Sequence, residues 1–228
     1  MNPFRELFQT RPFVVLVSPP RHDPAYVTAA VEGGAHALKV HCNVEHRASG
    51  TRFGSWEEEL PAIREMMAAA AGRPVGLMPG AETTVTPDEL DAAVTLGLSF
   101  FDVYDRHCPS WMLDHPIASM VALGTDFTAE RAAALQGLGV DALEASIVEP
   151  AAYGSPLLVR DLTDYALLAA ATDIPVVVPS QKELLPGDIA RLRHVGVRGV
   201  MLGTIVLGAD PAQVAERLRP FVDAAERA

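Results

Sequence analysis

The chain has 228 residues, of which 49% are hydrophobic and 21% are charged, and its formal net charge is −11. This length and composition fit one soluble globular domain spanning residues 1–228, and they exclude a disordered chain, a collagen and a small disulfide scaffold. An acidic protein is repelled by nucleic acid and by anionic membranes, so neither is expected as a partner. Only two of the 18 basic residues are lysines, Lys39 and Lys182.

The two cysteines and the N-terminal segment bear on the compartment. Cys42 and Cys108 lack the spacing of a metal or redox motif and are expected to be reduced thiols. The first residues do not form a charged segment followed by a long apolar one, and no run approaches the about 18 apolar residues of a membrane span. The sequence therefore predicts a cytoplasmic protein.

Eight short apolar runs recur along the chain, and Ala-rich segments lie between them. The runs fall near residues 13–18, 36–42, 74–79, 99–104, 119–124, 141–147, 174–179 and 197–203. Helix-start signals such as Asp23-Pro24, Thr86-Pro87 and Asp210-Pro211 open several of the segments between them, because a capping side chain there accepts a free backbone N–H and proline suits the first helical position. The pattern predicts the α/β class and a single (β/α)8 TIM barrel.

Two features test this assignment. The crossover over residues 105–118 is short and contains two prolines, so it is predicted to hold only a distorted turn or two of helix. An open doubly wound sheet is the competing architecture, but its central strands are covered on both faces and should be continuously apolar. Four of the predicted strands contain polar residues, which favours the barrel.

Those four strands form an internal quasi-repeat. In each, a glycine suited to end the preceding helix is followed five residues later by Lys39, Asp102, Glu144 or Met201. Because strand side chains alternate and a barrel interior is built in layers from alternate strands, these four residues are predicted to share one interior layer. The layer nearer the C-terminal ends of the strands would then hold the residues two positions later, which are His41, Tyr104, Ser146 and Gly203.

A lysine and two carboxylates meeting inside a barrel form the strongest functional signal in the sequence, because unpaired buried charges are costly. Lys39 could pair with a substrate anion, act as a general acid or base, or form a Schiff base. The two carboxylates are expected to keep it protonated. The alternative is a structural ion pair that fills the barrel.

Asp102 and Glu144 are the candidates for the acid and the base of a proton-transfer reaction, and His41 and Tyr104 are alternates for the same role. His41 could equally be a hydrogen-bonded core histidine. A metal site could be assembled from His41, Asp102 and Glu144, but no second histidine at ligand spacing accompanies them, so no metal is predicted.

The longest predicted connection at the catalytic face follows the second strand, over residues 43–55. Asn43, Arg47 and Arg52 lie in it together with two glycines, which suggests a mobile loop that closes over an anion. A solvated surface loop is the alternative. Ser146 and Tyr104 are further candidates for contact with the substrate.

The ends of the seventh and eighth predicted strands hold a phosphate in many barrels of this fold. Gly203 and Thr204 follow the eighth strand in a glycine turn, and Ser180 and Lys182 follow the seventh. The seventh connection has no glycine for close approach of its backbone, so Lys182 is predicted to supply the charge instead.

Three stretches resemble the ribulose-phosphate-binding barrel superfamily, and most closely its N-acetylmannosamine-6-phosphate 2-epimerase branch. They are residues 29–36, residues 86–97 and residues 199–204. The epimerases carry a lysine at the end of the third strand, where this chain has Leu77-Met78-Pro79-Gly80, and a glycine-rich phosphate loop after the seventh strand, which is missing here. The resemblance therefore implies the fold and an anionic small-molecule substrate, and it does not imply the epimerase activity.

The sequence predicts an isomerase or lyase that acts by proton transfer on a small anionic metabolite, expected to be phosphorylated. Lys39 would stabilise the developing enolate, and Asp102 or Glu144 would move the proton. This chemistry requires no cofactor. A flavin-dependent oxidoreductase that binds FMN and a non-catalytic metabolite-binding barrel are the alternatives, and a homo-oligomer is left open.

Overall fold

The computed structural model describes residues 2–228. Ten strands lie within that range: β1 (Val14–Val17), β2 (Ala37–His41), β3 (Val44–His46), β4 (Thr51–Phe53), β5 (Val75–Met78), β6 (Phe100–Tyr104), β7 (Ala118–Leu123), β8 (Ala142–Ala145), β9 (Val176–Pro179) and β10 (Gly199–Leu202). Eight of them form a closed parallel barrel in the order β1-β10-β9-β8-β7-β6-β5-β2, and β3 and β4 pair separately. The (β/α)8 barrel predicted from the sequence is confirmed, and each of the eight apolar runs overlaps one barrel strand.

The α-helices within residues 2–228 are α1 (Pro3–Thr10), α2 (Pro24–Glu32), α3 (Trp56–Ala69), α4 (Pro87–Leu96), α5 (Ala129–Gly137), α6 (Val159–Ala171), α7 (Asp188–His194), α8 (Thr204–Leu207) and α9 (Pro211–Arg227). The side chains of Asp23, Thr86 and Asp210 accept backbone N–H groups at the starts of α2, α4 and α9, as the sequence predicts. In this part of the chain no helix is long and apolar enough to cross a membrane.

The glycines of the quasi-repeat have the conformation that their position requires. A positive φ of 79° to 108° occurs at Gly34, Gly97, Gly139 and Gly196. Only glycine adopts this left-handed region without strain, so each one ends a helical segment and turns the chain into the next strand. The repeated register of β2, β6, β8 and β10 follows from these four turns.

The crossover between β6 and β7 contains two short 3-10 helices, at residues 105–107 and 110–114, in place of an α-helix. This agrees with the prediction from its two prolines. The connection after β2 differs from the mobile loop that the sequence predicts, because β3 and β4 form an antiparallel hairpin in it. Phe53 of this hairpin stacks on His41 with the ring centroids 4.8 Å apart, so the hairpin packs on the end of the barrel.

The barrel interior divides into an apolar lower part and a polar upper part. The lower part is filled by residues of seven barrel strands and of α1, namely Phe4, Phe8, Val14, Leu16, Ala37, Phe100, Ala118, Met120, Ala142, Val177 and Met201. Gly76 also faces this part, and a Cβ atom there would lie 2.2 Å from the Phe100 ring. A large residue and a glycine on neighbouring strands thus fill one layer.

Helix α1, which the sequence patterns do not predict, closes the N-terminal end of the barrel. Phe4 is fully buried and stacks on Phe100 with the ring centroids 3.9 Å apart. Arg5 binds Asp141 through two hydrogen bonds of 2.7 and 2.9 Å, which fastens the helix to the start of β8. The functional cavity must therefore lie at the opposite end.

We expect Phe4→Ala to lower the free energy of unfolding by about 3 to 5 kcal/mol, because it leaves an aromatic-sized void against Phe100. Urea denaturation measures the change. Leu185→Ala serves as the control, because this side chain is 60% exposed and its loss should cost no more than about 0.5 kcal/mol. Equal stability of the two variants would contradict the role of α1 as part of the core.

Candidate active site

A cavity of about 270 Å³ lies at the C-terminal ends of the barrel strands, which is where the active sites of (β/α)8 enzymes lie. Its floor is formed by the predicted charged layer and its walls by the layer above. The predicted site residues that line it are Lys39, His41, Arg47, Asp102, Tyr104, Glu144, Ser146, Ser180, Gly203 and Thr204. Ten of the thirteen candidates therefore meet at one cavity, seven of them placed by strand register and three by their position in the connections.

Lys39, Asp102 and Glu144 form a buried ionic cluster at the floor. The Lys39 Nζ atom lies 2.6 Å from Asp102 Oδ2 and 3.3 Å from Glu144 Oε2. Their exposed fractions are 5%, 1% and 6%, so water screens these contacts weakly. An ammonium group has three N–H donors, and two are used here. The third has no partner among residues 2–228 and can bind a ligand in the cavity, which Lys39 lines.

Burial and the neighbouring charges shift the pKa values of the three cluster residues in different directions. Burial by itself lowers the pKa of Lys39, but the charges of Asp102 and Glu144 outweigh it and raise that pKa above its ordinary value. Burial, and then the neighbouring Glu144 charge, raises the pKa of Asp102. Burial also acts to raise the pKa of Glu144, but the Lys39 charge lowers it overall. The favoured state is a charged Lys39–Glu144 pair beside a neutral Asp102 carboxyl.

The two oxygens of Asp102 have different surroundings. Its Oδ2 atom accepts from Lys39, whereas Oδ1 is buried without a hydrogen-bond partner among residues 2–228. The Asp102 and Glu144 carboxyl groups are also within reach of a hydrogen bond once one of them carries a proton. Two adjacent carboxyls that hold one proton can supply both an acid and a base.

His41 lies one layer above the cluster and is 1% exposed. Its Nε2 atom lies 3.4 Å from Ser18 Oγ, and its ring packs between Phe53 and His46. Burial, and then the nearby His46 and Lys39 charges, lowers the pKa of His41 well below its ordinary value. Its Nδ1 atom has no partner within the described residues. A neutral imidazole at this height can bind a ligand but is a poor proton donor.

The wall on the β6 and β8 side carries a row of hydroxyl groups. Tyr104 Oη lies 2.6 Å from Ser146 Oγ, and the Gln181 amide nitrogen donates to Ser146 Oγ at 2.9 Å and to Tyr153 Oη at 2.6 Å. Burial, and then the Glu144 charge, raises the pKa of Tyr104 to about 12. Its phenol therefore stays protonated at neutral pH.

The ends of β9 and β10 lie on the cavity, but they differ from the charged phosphate site predicted there. Ser180 Oγ accepts the Gly203 backbone N–H at 2.8 Å, which takes that donor from a ligand. Lys182 does not line the cavity. It points outward, is 3% exposed, and its Nζ lies 3.3 Å from Asp161 and 3.0 Å from Ser155. This lysine supplies charge to a structural contact, because Asp161 and Ser155 hold its ammonium away from the cavity.

Lys182→Met should lower the free energy of unfolding by about 3 kcal/mol, since it leaves the half-buried Asp161 carboxylate without its cation. Urea unfolding measures this loss. The double variant Lys182→Met with Asp161→Asn removes both charges, keeps an acceptor for the Leu158 backbone N–H at the start of α6, and should recover most of it. Unchanged stability of the single variant would contradict a structural role for this lysine.

The hairpin brings one of its three candidates to the cavity. Arg47, at its tip, lines the cavity mouth. Asn43 has a positive φ of 52°, and its side chain donates to the Pro79 carbonyl, so it shapes the start of the hairpin. Arg52 pairs with Glu45 across the hairpin register and faces solvent. Asn43 and Arg52 therefore lie outside the cavity lining, because strand pairing sets their directions.

Sequence reasoning does not single out several polar residues of the lining: Ser18, His46, Arg106, His107, Tyr153 and Gln181. All of them lie in the connections that follow barrel strands, at the catalytic face. That position is the signal that could have identified them. Gln181 is 5% exposed and holds three contacts together.

No protein-family model matches the chain, and no curated protein matches its sequence. Solved structures are similar in fold. Tryptophan synthase from M. tuberculosis has a TM-score of 0.72 at 15% identity, with 99% of each chain covered. Thiamine phosphate pyrophosphorylase from Pyrococcus furiosus has a TM-score of 0.64 at 16% identity, covering 95% of this chain and 96% of its own. A 3-hexulose-6-phosphate synthase has a TM-score of 0.66 at 16% identity, covering 93% of this chain and 99% of its own. The similarity shows a shared (β/α)8 barrel.

Proposed function

We propose that this protein is an isomerase or lyase that transfers a proton next to a carbonyl group of a small anionic metabolite. The observation that carries the proposal is the buried cluster of Lys39, Asp102 and Glu144 at the floor of the cavity. A cluster that served only to fill the barrel would not need to border a cavity or to leave one ammonium donor free.

The three groups have distinct roles. The free N–H donor of Lys39 binds the carbonyl oxygen and stabilises the negative charge that develops on it. The Glu144 carboxylate takes the proton from the adjacent carbon, because its lowered pKa keeps it ionised. The neutral Asp102 carboxyl returns a proton to the enolate. In an isomerase the proton is returned to a carbon or oxygen of the same molecule, and in a lyase to the fragment released.

The substrate class follows from the size and charge of the cavity. About 270 Å³ lies below the usual range of roughly 300 to 1,000 Å³ for sites that hold drug-sized ligands, so a small metabolite fits best. Arg47 and Arg106 bring two guanidinium groups to the mouth of an otherwise acidic protein. Two of the similar structures are named for phosphorylated compounds, which supports a phosphorylated substrate. Kinship with the N-acetylmannosamine-6-phosphate 2-epimerase branch stays a prediction.

Deuterium exchange tests the proposal and does not require the product to be identified. The protein is incubated in D2O with a panel of small phosphorylated aldoses, ketoses and keto acids, and loss of each α-proton signal is followed by NMR. At least one compound should exchange in the presence of wild-type protein and not with Glu144→Gln, which removes the base but keeps the shape of the site.

The same panel separates the alternatives. Binding of panel compounds with neither exchange nor bond cleavage would replace the proposal with a metabolite-binding barrel. Tight binding of added FMN in the same cavity, with bleaching of the flavin by a reductant and no proton exchange, would replace it with a flavin-dependent oxidoreductase. Exchange that persists in Glu144→Gln at the wild-type rate would remove Glu144 from the mechanism.

A further inference from the structure

The hydroxyl row on the β8 side of the cavity is held in one orientation by Gln181. The Val148 backbone N–H donates to Gln181 Oε1 at 3.1 Å, which fixes which end of the amide is the acceptor. The Nε2 end must therefore face the cavity. Its two hydrogens go to Ser146 Oγ and to Tyr153 Oη.

The hydroxyl row has O–H donors that are not used among residues 2–228. Tyr153 Oη accepts from Gln181, so its own hydrogen is not used in that contact. Ser146 and Tyr104 share one hydrogen between their oxygens 2.6 Å apart, and whichever group donates, the hydrogen of the other is left over. The row therefore presents two O–H donors to the cavity, and these suit a group with two or more acceptor oxygens.

Two guanidinium groups border this row. The Arg106 guanidinium carbon lies 4.2 Å from the centre of the Tyr104 ring, and the charge of Arg47 is close enough to act on Tyr153. No carboxylate lies within 4 Å of either guanidinium among residues 2–228. The Arg106 guanidinium stacks on Tyr104 and its charge also acts on Asp126, so Arg47 is the cation more open to a ligand. Both lie beside hydroxyl donors of the same wall.

Among residues 2–228, the neighbouring wall at the ends of β9 and β10 brings no lysine or arginine to the cavity lining. The Gly203 N–H already donates to Ser180, and the ammonium of Lys182 points out of the barrel. The Lys39 ammonium at the floor is balanced by the Glu144 carboxylate and also donates to Asp102. The hydroxyl row is thus the part of the cavity where unused O–H donors and unpaired positive charge coincide.

We propose that Tyr153 and the Tyr104–Ser146 pair, oriented by Gln181 and flanked by Arg47 and Arg106, form the subsite that binds the anionic oxygens of the ligand. This inference deepens the proposed function, on which it rests for the use of the cavity by an anionic metabolite. It places the anion at the β6 and β8 side of the barrel. A carboxylate and a phosphate share the necessary acceptor oxygens.

Binding of inorganic phosphate and of acetate tests the subsite and distinguishes the two kinds of anion. Gln181→Glu replaces the amide donors with a carboxylate that accepts from Ser146 and Tyr153, which turns both hydroxyl hydrogens away from the cavity. We expect it to weaken binding of the preferred anion at least about 10-fold. Tyr153→Phe removes one donor and should weaken binding by about 5- to 10-fold. Calorimetric titration measures both.

Matched controls exclude general effects of charge and of a lost phenol. Gln9→Glu adds the same charge on an exposed residue of α1, at the other end of the barrel, and Tyr165→Phe removes a buried phenol that has no hydrogen-bond partner within the described residues. Both should bind the anion like the wild type. Thermal unfolding of each variant verifies that it is folded.

The inference is overturned if the wild type binds neither anion saturably, or if Gln181→Glu and Tyr153→Phe bind as tightly as the wild type. It is also overturned if Thr204→Val weakens binding more than Tyr153→Phe, since the anion would then lie at the end of β10. Binding that depends on Gln181 upholds the subsite even if no panel compound exchanges a proton, so the two proposals fail separately.

Discussion

Lys39→Met is expected to lower the rate of proton exchange by about 1,000-fold or more. The substitution removes the only cation at the floor, so the enolate oxygen loses its stabilising donor. It also removes the positive charge that lowers the pKa of Glu144, so less of the base is ionised. The rate is measured by NMR in D2O with the panel compound that the wild type exchanges fastest.

The other lysine provides the matched control. Lys182→Met removes an equally buried ammonium that lies outside the cavity, so it should lower stability and leave the exchange rate at the wild-type level below its unfolding transition. If Lys39→Met does not fold, Glu144→Gln is the second test. This variant keeps Lys39 and Asp102 as a pair with no net charge, and its rate of proton exchange must fall by a comparable factor. Wild-type exchange by a folded Lys39→Met variant would refute the assigned role of Lys39.

Asp102→Asn should make the protein more stable at neutral pH while abolishing proton exchange. In the unfolded chain Asp102 ionises near its ordinary pKa of about 3.9, whereas the buried carboxyl of the folded protein stays protonated to higher pH. Between the pKa of Asp102 in the unfolded chain and its pKa in the folded protein, the wild type therefore loses about 1.4 kcal/mol of stability per pH unit relative to the variant. Asparagine has no charge to bury and can still accept from Lys39.

Urea unfolding of the wild type and of Asp102→Asn at several pH values measures this effect. The two stabilities should converge as the pH falls below about 4, because both side chains are then neutral in the folded and the unfolded state. The variant should gain on the wild type as the pH rises. A wild type that gains on Asp102→Asn with rising pH would show instead that Asp102 is ionised in the folded protein.

The fold could be predicted because its determinants are local. Glycine-ended helices and apolar runs recur at steady intervals along the chain. Gly97 and Gly139 mark where two strands begin, and the alternation of strand side chains then predicts that Asp102 and Glu144 face the barrel interior. The charged floor follows from that register, since it is fixed once the barrel closes.

The remaining parts depend on contacts between segments far apart in the sequence. Helix α1 is defined by Phe4 stacking on Phe100, almost a hundred residues away. The direction of Lys182 is set by Asp161 and Ser155, and the role of Gln181 by a backbone N–H of another connection. No periodicity encodes such contacts, so the polar wall and the bottom of the barrel emerge only from the folded chain.

The protonation state of the cluster can be measured directly in the ligand-free protein. Carbon-13 NMR of the labelled side-chain carboxyls, assigned with Asp102→Asn and Glu144→Gln, follows both groups between acidic and mildly alkaline pH. We predict that at pH 7 the Asp102 carboxyl is protonated and the Glu144 carboxyl is ionised, so that one transferable proton lies beside Lys39. Two ionised carboxyls at that pH would contradict the proposed mechanism.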